Sequence, residues 1–353
     1  MRVCAVLVLT DRVVSTSTLG DFARGERSPL ACVEVLGQSV LERTTTRLQR
    51  TGIKNISVIG AREHIVSSCN SRVEVAHAAA YSDRWIAADR VIAKYGRQGC
   101  DTVFLAEIGA YAEIDYVDAL RFHLDTGAPI TQLSDAQGPL KAWVVSTAAF
   151  RRTSDIASPM FEPRTSVTPF RVKGYVNRLC RALDLRKLVI DAFLERCDIV
   201  PTGQEVRPGI WMSDGAYAHR SARIVAPAYL GSSTVIGASA LVTRFSTIER
   251  ECRVGRGTVV DASCVLSHTI LGDGLDVSSA VVDGNQFVDL NRNLAVQIDD
   301  PKLVRGTVRR PAPKLPVDSF DPSTQPVPLF EFAYSQQIAR AAGRLSEVFR
   351  GQL

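Results

Sequence analysis

The sequence predicts an open α/β sheet followed by a stack of short parallel strands, and two observations carry that prediction. First, aliphatic residues recur at every sixth position over eight repeats between Ala222 and Thr269: Ile224, Leu230, Ile236, Val242, Ile248, Val254, Val260 and Leu266. A small residue stands two places before each: Ala222, Ala228, Thr234, Ala240, Ser246, Cys252, Thr258 and Cys264. A period of six matches neither the 3.6 of a helix nor the 2 of an ordinary strand. It suits a short parallel strand and a turn, stacked so that one aliphatic residue per side enters a narrow core. Second, the chain ahead of these repeats alternates apolar, β-branched runs with helical patterns, the signature of a mostly parallel sheet.

Val3 to Leu9 is dominated by apolar and β-branched residues and reads as a buried strand. Residues 11–29 mix Ser, Thr, Gly and Arg with one Pro and read as a long loop. A helix is expected from Val40 to Gln49, closed by Gly52, and a second strand from Ile56 to Ile59. Arg84–Tyr95 reads as a helix, Thr102–Ala106 as a strand, and Asp115–Thr126 as a helix ended by Gly127. Two strands follow, at Pro129–Leu133 and Leu140–Val145. Three prolines among Ser and Thr mark residues 154–172 as a linker. Gly174–Cys197 is expected to be helical, with Tyr175, Leu179, Leu183, Leu188 and Phe193 on its apolar face. The repeats lose phase beyond Leu271, where Val277, Val281 and Val288 supply an irregular last coil. The tail from Arg309 is proline-rich to Pro328, and a helix from Leu329 to Phe349 is expected to cap the stack. The expected boundaries are 1–153 for the α/β domain, 154–206 for a linker and helical segment, 207–300 for the coils and 301–353 for the tail.

Composition narrows the function classes. With 42 basic against 37 acidic residues the net charge is only +5, too balanced for a nucleic-acid binder, and Arg305, Arg309 and Arg310 lack interleaved aromatics. No segment approaches the roughly 20 apolar residues of a membrane span. The seven-residue apolar run at the start reads as a strand rather than a secretory signal. The eight cysteines form no CxxC pair or zinc-like spacing with histidine, so reduced thiols in a cytoplasmic protein are expected. Cys252 and Cys264 fall in the small-residue slot of the repeat. Trp85, Trp143 and Trp211 read as packing residues, Asp299-Asp300-Pro301 as a turn, and His64 and His77 are too isolated to form a site.

The hexad pattern resembles the repeat of left-handed parallel β-helices, in which three hexapeptides make one triangular coil. The whole layout resembles the sugar-1-phosphate nucleotidyltransferases, such as mannose-1-phosphate guanylyltransferases and glucose-1-phosphate nucleotidyltransferases. The stretch Ser28-Pro29-Leu30-Ala31-Cys32-Val33-Glu34-Val35-Leu36-Gly37-Gln38-Ser39-Val40-Leu41-Glu42 is similar to the family's P-K-P-L-x-x-V-x-G-x-P-x-L-E. Phe104-Leu105-Ala106-Glu107-Ile108-Gly109-Ala110 occupies the place of the family strand that ends in N-G-D, and the helix with Phe122-His123 and Gly127 follows in order. The resemblance covers roughly residues 1–153 and 207–300 and implies a Rossmann-like front domain ahead of the β-helix.

The family reaction attacks the α-phosphorus of a nucleoside triphosphate with a sugar phosphate and releases pyrophosphate. It needs a glycine-rich phosphate cradle, cationic side chains and a carboxylate holding Mg2+. The family's G-x-G-T-R-L loop is replaced here by Thr10-Asp11-Arg12-Val13-Val14-Ser15-Thr16-Ser17-Thr18-Leu19-Gly20. β-Branched Val13 and Val14 resist the positive φ that glycines supply. The lysine of P-K-P corresponds to Ser28 and the metal aspartate to Ala110, and the V-E-K-P segment has no counterpart. The resemblance therefore implies a degenerate homologue: a binding, regulatory or scaffolding subunit in sugar-nucleotide or polysaccharide biosynthesis. Its expected ligand is a nucleotide or nucleotide sugar, and its expected assembly a homo-oligomer or a hetero-oligomer with an active paralogue.

If the chain is instead an active, divergent enzyme using Mg2+, Arg12, Arg24 and Arg27 are the candidates to meet phosphates. Asp11, Glu107 and Asp115 are then the candidate metal ligands, and Asp11, Gly37 and Gly109 the candidate substrate-binding positions. A further alternative is a hexapeptide-repeat acyltransferase, for which His219 or His268 would serve as general base. Such enzymes usually build the acceptor site from an inserted loop, and these repeats run without one. A last alternative is that the coils serve only to oligomerise the chain.

Overall fold

The fold is taken from a computed structural model, which describes residues 2–9, 30–60, 74–77, 81–150 and 167–306. The front region contributes strands β1 (Val3–Leu9), β2 (Glu34–Val35) and β3 (Gln38–Ser39), then helix α1 (Val40–Arg50), β4 (Asn55–Gly60) and β5 (Glu74–His77). Helix α2 (Tyr81–Arg97), β6 (Thr102–Ile108), β7 (Tyr111–Ala112), α3 (Tyr116–Thr126), β8 (Ile130–Asp135), β9 (Gly138–Ser146) and the short α4 (Thr147–Phe150) follow. β10 (Val167–Arg171), β11 (Val176–Asn177) and α5 (Ala182–Phe193) complete it.

Seven strands form one mixed sheet in the order β10-β8-β9-β6-β1-β4-β5. Only β9 runs against its neighbours; the other pairings are parallel. β1 shows why this strand is apolar throughout. Ala5, Leu7 and Leu9 enter the cluster on one face, while Cys4, Val6 and Val8 enter the cluster on the other. A strand buried on both faces has no reason to alternate. The helices end where side chains stop them. Ser39 and Glu42 form a reciprocal capping box on α1, Asp115 accepts the Val117 and Asp118 N–H groups at the start of α3, and Gly127 ends it at φ 59°.

Three sequence expectations are revised. The segment read as linker enters the sheet, since Val167–Arg171 pairs in parallel with β8. Pro169 hides it from a pattern search, but β10 is an edge strand, where a missing donor on the outer side is tolerated. The helix expected over Gly174–Cys197 is shorter, because Val176–Asn177 is spent pairing with β7. The cysteines also differ: Cys4 and Cys100 form a disulfide tying β1 to the turn before β6, not a pair of reduced thiols. Among the described residues no helix is long and apolar enough to cross a membrane. The tail helix expected over Leu329–Phe349 lies outside the described residues.

Behind the front sheet, short strands fall into three sheets. Ile210–Met212, Ala228–Leu230, Ser246–Ile248, Cys264–Val265 and Ala280–Asp283 stack in the first; Tyr217–Ala218, Val235–Ile236, Arg253–Val254 and Thr269–Leu271 in the second; Arg223–Ile224, Leu241–Thr243, Val259–Asp261 and Asp276–Ser278 in the third. Each strand pairs in parallel with the third one on. The core of the stack holds Leu230, Ile236, Val242, Ile248 and Val260, none of them exposed. The small-residue slot is polar for a reason. The hydroxyls of Thr234, Ser246, Thr258 and Ser263 donate to carbonyls of Glu249, Val260, Gly272 and Val277, which crosslinks successive coils.

The seventh repeat, which begins at Thr258, is one residue short. Early coils advance by 18 residues (Ile210 to Ala228, Ala228 to Ser246), later ones by 17 (Thr247 to Cys264, Arg253 to Ile270). The corner at Arg244 and Phe245 spends two left-handed residues, whereas the equivalent later corner spends only Ala262. Val265, not Leu266, therefore enters the coil core, and Ser263, not Cys264, takes the small slot. Cys264 and Leu266 instead join the cluster beneath the front sheet, with Tyr229 and Val281. That cluster runs from β1 and α1 through α5 to the first coil sheet, so residues up to Arg309 form one compact unit. Beyond Ala280 the chain leaves the coil pattern for an antiparallel meander, Ala280–Asp283, Gln286–Asp289 and Leu294–Gln297. Val304–Gly306 then closes the second sheet.

Candidate functional site

Ligands of open α/β sheets gather outside the carboxyl ends of the parallel strands. Here those ends are Leu9, Gly60, His77, Ile108, Asp135 and Arg171. The segment after β1, with Asp11, Arg12, Arg24 and Arg27, lies outside the described residues. The end of β6 is visible in detail. Glu107 is buried and accepts two hydrogen bonds at 2.8 Å from the ammonium of Lys141, which reaches across from β9. Gly109 and Ala110 follow directly and lead into β7.

Asp115 sits one turn of chain further on. Both of its bonds go to one oxygen, 3.0 Å from the Val117 nitrogen and 2.9 Å from that of Asp118, which makes it the cap of α3. It also lines a cleft of about 370 Å³ whose floor includes Ile114, Phe170 and Val172. The cleft's polar wall belongs to a network invisible in the sequence, because its members come from three separate segments. Arg47 of α1 donates to the Tyr111 hydroxyl at 2.9 Å, pairs with Glu113 at 3.4 Å and with Asp198 at 3.3 Å. Tyr111 in turn donates to Glu113 at 2.7 Å. Burial first, then that carboxylate, pushes the phenol above its ordinary range, so it stays protonated.

Gly37 is placed elsewhere, in the β2–β3 turn against the coils. Leu36 and Gly37 both have positive φ, 54° and 86°, and their N–H groups donate at 2.9 Å to the two carboxylate oxygens of Glu249. A Cβ at Gly37 would stand 1.9 Å from the Thr202 hydroxyl and 2.1 Å from that of Tyr229. The structure thus leaves Glu107 and Gly109 together at the end of β6, Asp115 on the cleft, and Gly37 at the coil junction. Among the described residues no group of three or more His, Cys, Asp or Glu side chains is arranged to hold a metal ion.

Neither coil histidine lines the cleft beside Asp115. His219 is half-buried and shares a 2.8 Å bond with Ser221, and His268 pairs with Glu251 at 3.1 Å at a left-handed corner. His123, which the sequence offered only as part of the family stretch, is buried between Thr131 at 2.8 Å and Ser146 at 3.0 Å. Trp85 and Trp143 pack edge to face at 6.3 Å, as packing residues do. Asp300 accepts the Lys302 N–H at 2.9 Å, the turn expected before Pro301.

No protein-family model matches the sequence, and no match exists among the curated proteins compared with it.

Proposed function

We propose that this chain is a catalytically degenerate homologue of the sugar-1-phosphate nucleotidyltransferases, which acts as a binding, regulatory or scaffolding subunit in sugar-nucleotide or polysaccharide biosynthesis. In this reading the front domain is the Rossmann-like nucleotidyltransferase domain and the three stacked sheets are its left-handed parallel β-helix. Its ligand is a nucleotide or nucleotide sugar. The coils provide a surface for assembly with further copies or an active paralogue.

One observation carries the reading: at the end of β6, where the family keeps its metal aspartate, this chain has Ala110, and the neighbouring carboxylates are committed. Glu107 is neutralised by Lys141 and Asp115 caps α3. A hard divalent cation such as Mg2+ wants carboxylate oxygens with lone pairs to spare in open, octahedral geometry. The described residues at this edge do not fit that demand, so no step is assigned to a metal. Removal of one transition-state contact commonly costs about 3 kcal/mol, near a hundredfold in rate. Loss of the glycine cradle, the lysine and the metal aspartate together leaves binding rather than turnover. The test is a thermal-shift titration of the full chain with nucleoside triphosphates and nucleotide sugars. A saturable rise in melting temperature supports a retained ligand site; no shift with any of them removes the ligand-binding part of the proposal.

A further inference from the structure

The front sheet and the coils are joined by a reciprocal pair of buried glutamates. Glu249, on the coil side and 1% exposed, accepts the Leu36 and Gly37 N–H groups of the β2–β3 turn. Glu34, on the turn side and 7% exposed, accepts the Ser267 hydroxyl at 2.6 Å and forms an ion pair with Arg250, Nε to Oε1 2.8 Å. Two consecutive left-handed residues aim adjacent N–H groups at one point, and such a turn is a nest for an anion. Here the chain fills that nest from its own coils.

The two carboxylates share one buried junction with unequal support. Arg250 pairs with Glu34. Arg43 of α1 reaches the junction from the front, donating to the Val35 carbonyl at 2.8 Å, and its charge also favours ionised Glu249. Tyr229 lies near Glu249 on the preceding coil and Cys252 three residues on, and both stay neutral because burial raises them. Tyr229 is in turn tied to Thr202 at 2.8 Å and Ser213 at 2.9 Å. Ionised Glu249 thus has two N–H donors and a distant share of Arg43, set against burial and the charge of Glu34. The neutral acid still accepts through its carbonyl oxygen and places no second negative charge beside Glu34.

We propose that Glu249 and the Leu36–Gly37 turn form a pH-dependent catch between the front sheet and the coils, tight while Glu249 holds a proton and weakened when it ionises. Burial and then Glu34 raise Glu249 from its ordinary value to about 8, the two N–H donors and Arg43 working the other way. An acid with a raised value in the docked state favours docking below its undocked value, and this advantage is lost as pH rises through the docked one. The docking equilibrium should therefore weaken as pH rises from the ordinary carboxylate range toward about 8.

Calorimetry of the full chain between pH 6 and pH 9 tests the catch. Wild-type protein should unfold in one transition at pH 6 and, at pH 9, show the front region melting ahead of the coils. Glu249→Gln, neutral at every pH, should lose this pH dependence. Glu34→Gln removes the like charge and should move the wild-type change to lower pH, and it decides the matter alone if Glu249→Gln does not fold. A single transition at both pH values, a Glu249→Gln protein with the wild-type pH response, or a Glu34→Gln change that stays put or moves upward would each overturn the proposal.

Discussion

Replacing Gly37 with alanine separates a junction residue from a ligand-binding one. Its φ of 86° costs an L-residue about 1–2 kcal/mol. The new methyl would also meet the Thr202 and Tyr229 hydroxyls at 1.9 and 2.1 Å. Neither can swing aside cheaply, because Thr202, Ser213 and Tyr229 bond one another at 2.8 to 3.0 Å. Overpacking of this kind costs about 1–3 kcal/mol, so Gly37→Ala should lose about 2–5 kcal/mol in total. Gly52 is the matched control: its φ is 89°, but a Cβ there meets nothing within 4 Å. Gly52→Ala should therefore show the backbone cost alone, about 1–2 kcal/mol. Urea unfolding of both variants measures the difference. Equal losses would refute the close packing inferred at the junction, and a Gly37→Ala protein as stable as wild type would refute the turn geometry as well.

Two further predictions concern the core and the buried histidine. Ile248 is fully buried in the coil stack, so Ile248→Ala should cost about 2–5 kcal/mol in urea unfolding, against less than 1 kcal/mol for the exposed Val200→Ala. Burial holds His123 below its ordinary value, so the folded protein takes up that proton less readily than the unfolded chain. Its contribution to stability is then fully present above the unfolded value of about 6.5 and is lost as pH falls below it. His123→Gln, compared with wild type by urea unfolding at pH 7.5 and pH 5, should show a smaller acid loss; an equal or larger one counts against neutral, buried His123.

The sequence made the regular elements legible because their causes are local. β1, β4, β6, β8 and β9 follow from apolar, β-branched runs, and α1 and α3 from their caps. The coils follow from a period no other structure shares. What it hid has non-local causes. β10 carries a proline that only an edge position tolerates, and the 17-residue coils differ from the 18-residue ones by a single corner residue, which moved Leu266 and Cys264 out of the positions their phase implied. At the site, Glu107, Gly109 and Asp115 could be placed from the β6–α3 pattern. Their commitments to Lys141 and to the α3 N-terminus could not, since the lysine partner lies 34 residues away. The Arg47–Tyr111–Glu113–Asp198 network and the Glu34–Glu249 junction join residues up to 233 apart, and nothing in their spacing announces them. Asp11, Arg12 and Arg27 lie outside the described residues, and the positions at that loop stand on the sequence alone.

The most direct test of the central claim is pyrophosphate release by the purified full chain with Mg2+, each common nucleoside triphosphate and a panel of sugar 1-phosphates. On the proposed homology Ala110 stands in place of the metal aspartate, and with Glu107 and Asp115 committed this predicts release no faster than the protein-free background. Turnover above that background with any substrate pair would contradict the degenerate reading and direct attention to Asp11 as the replacement metal ligand.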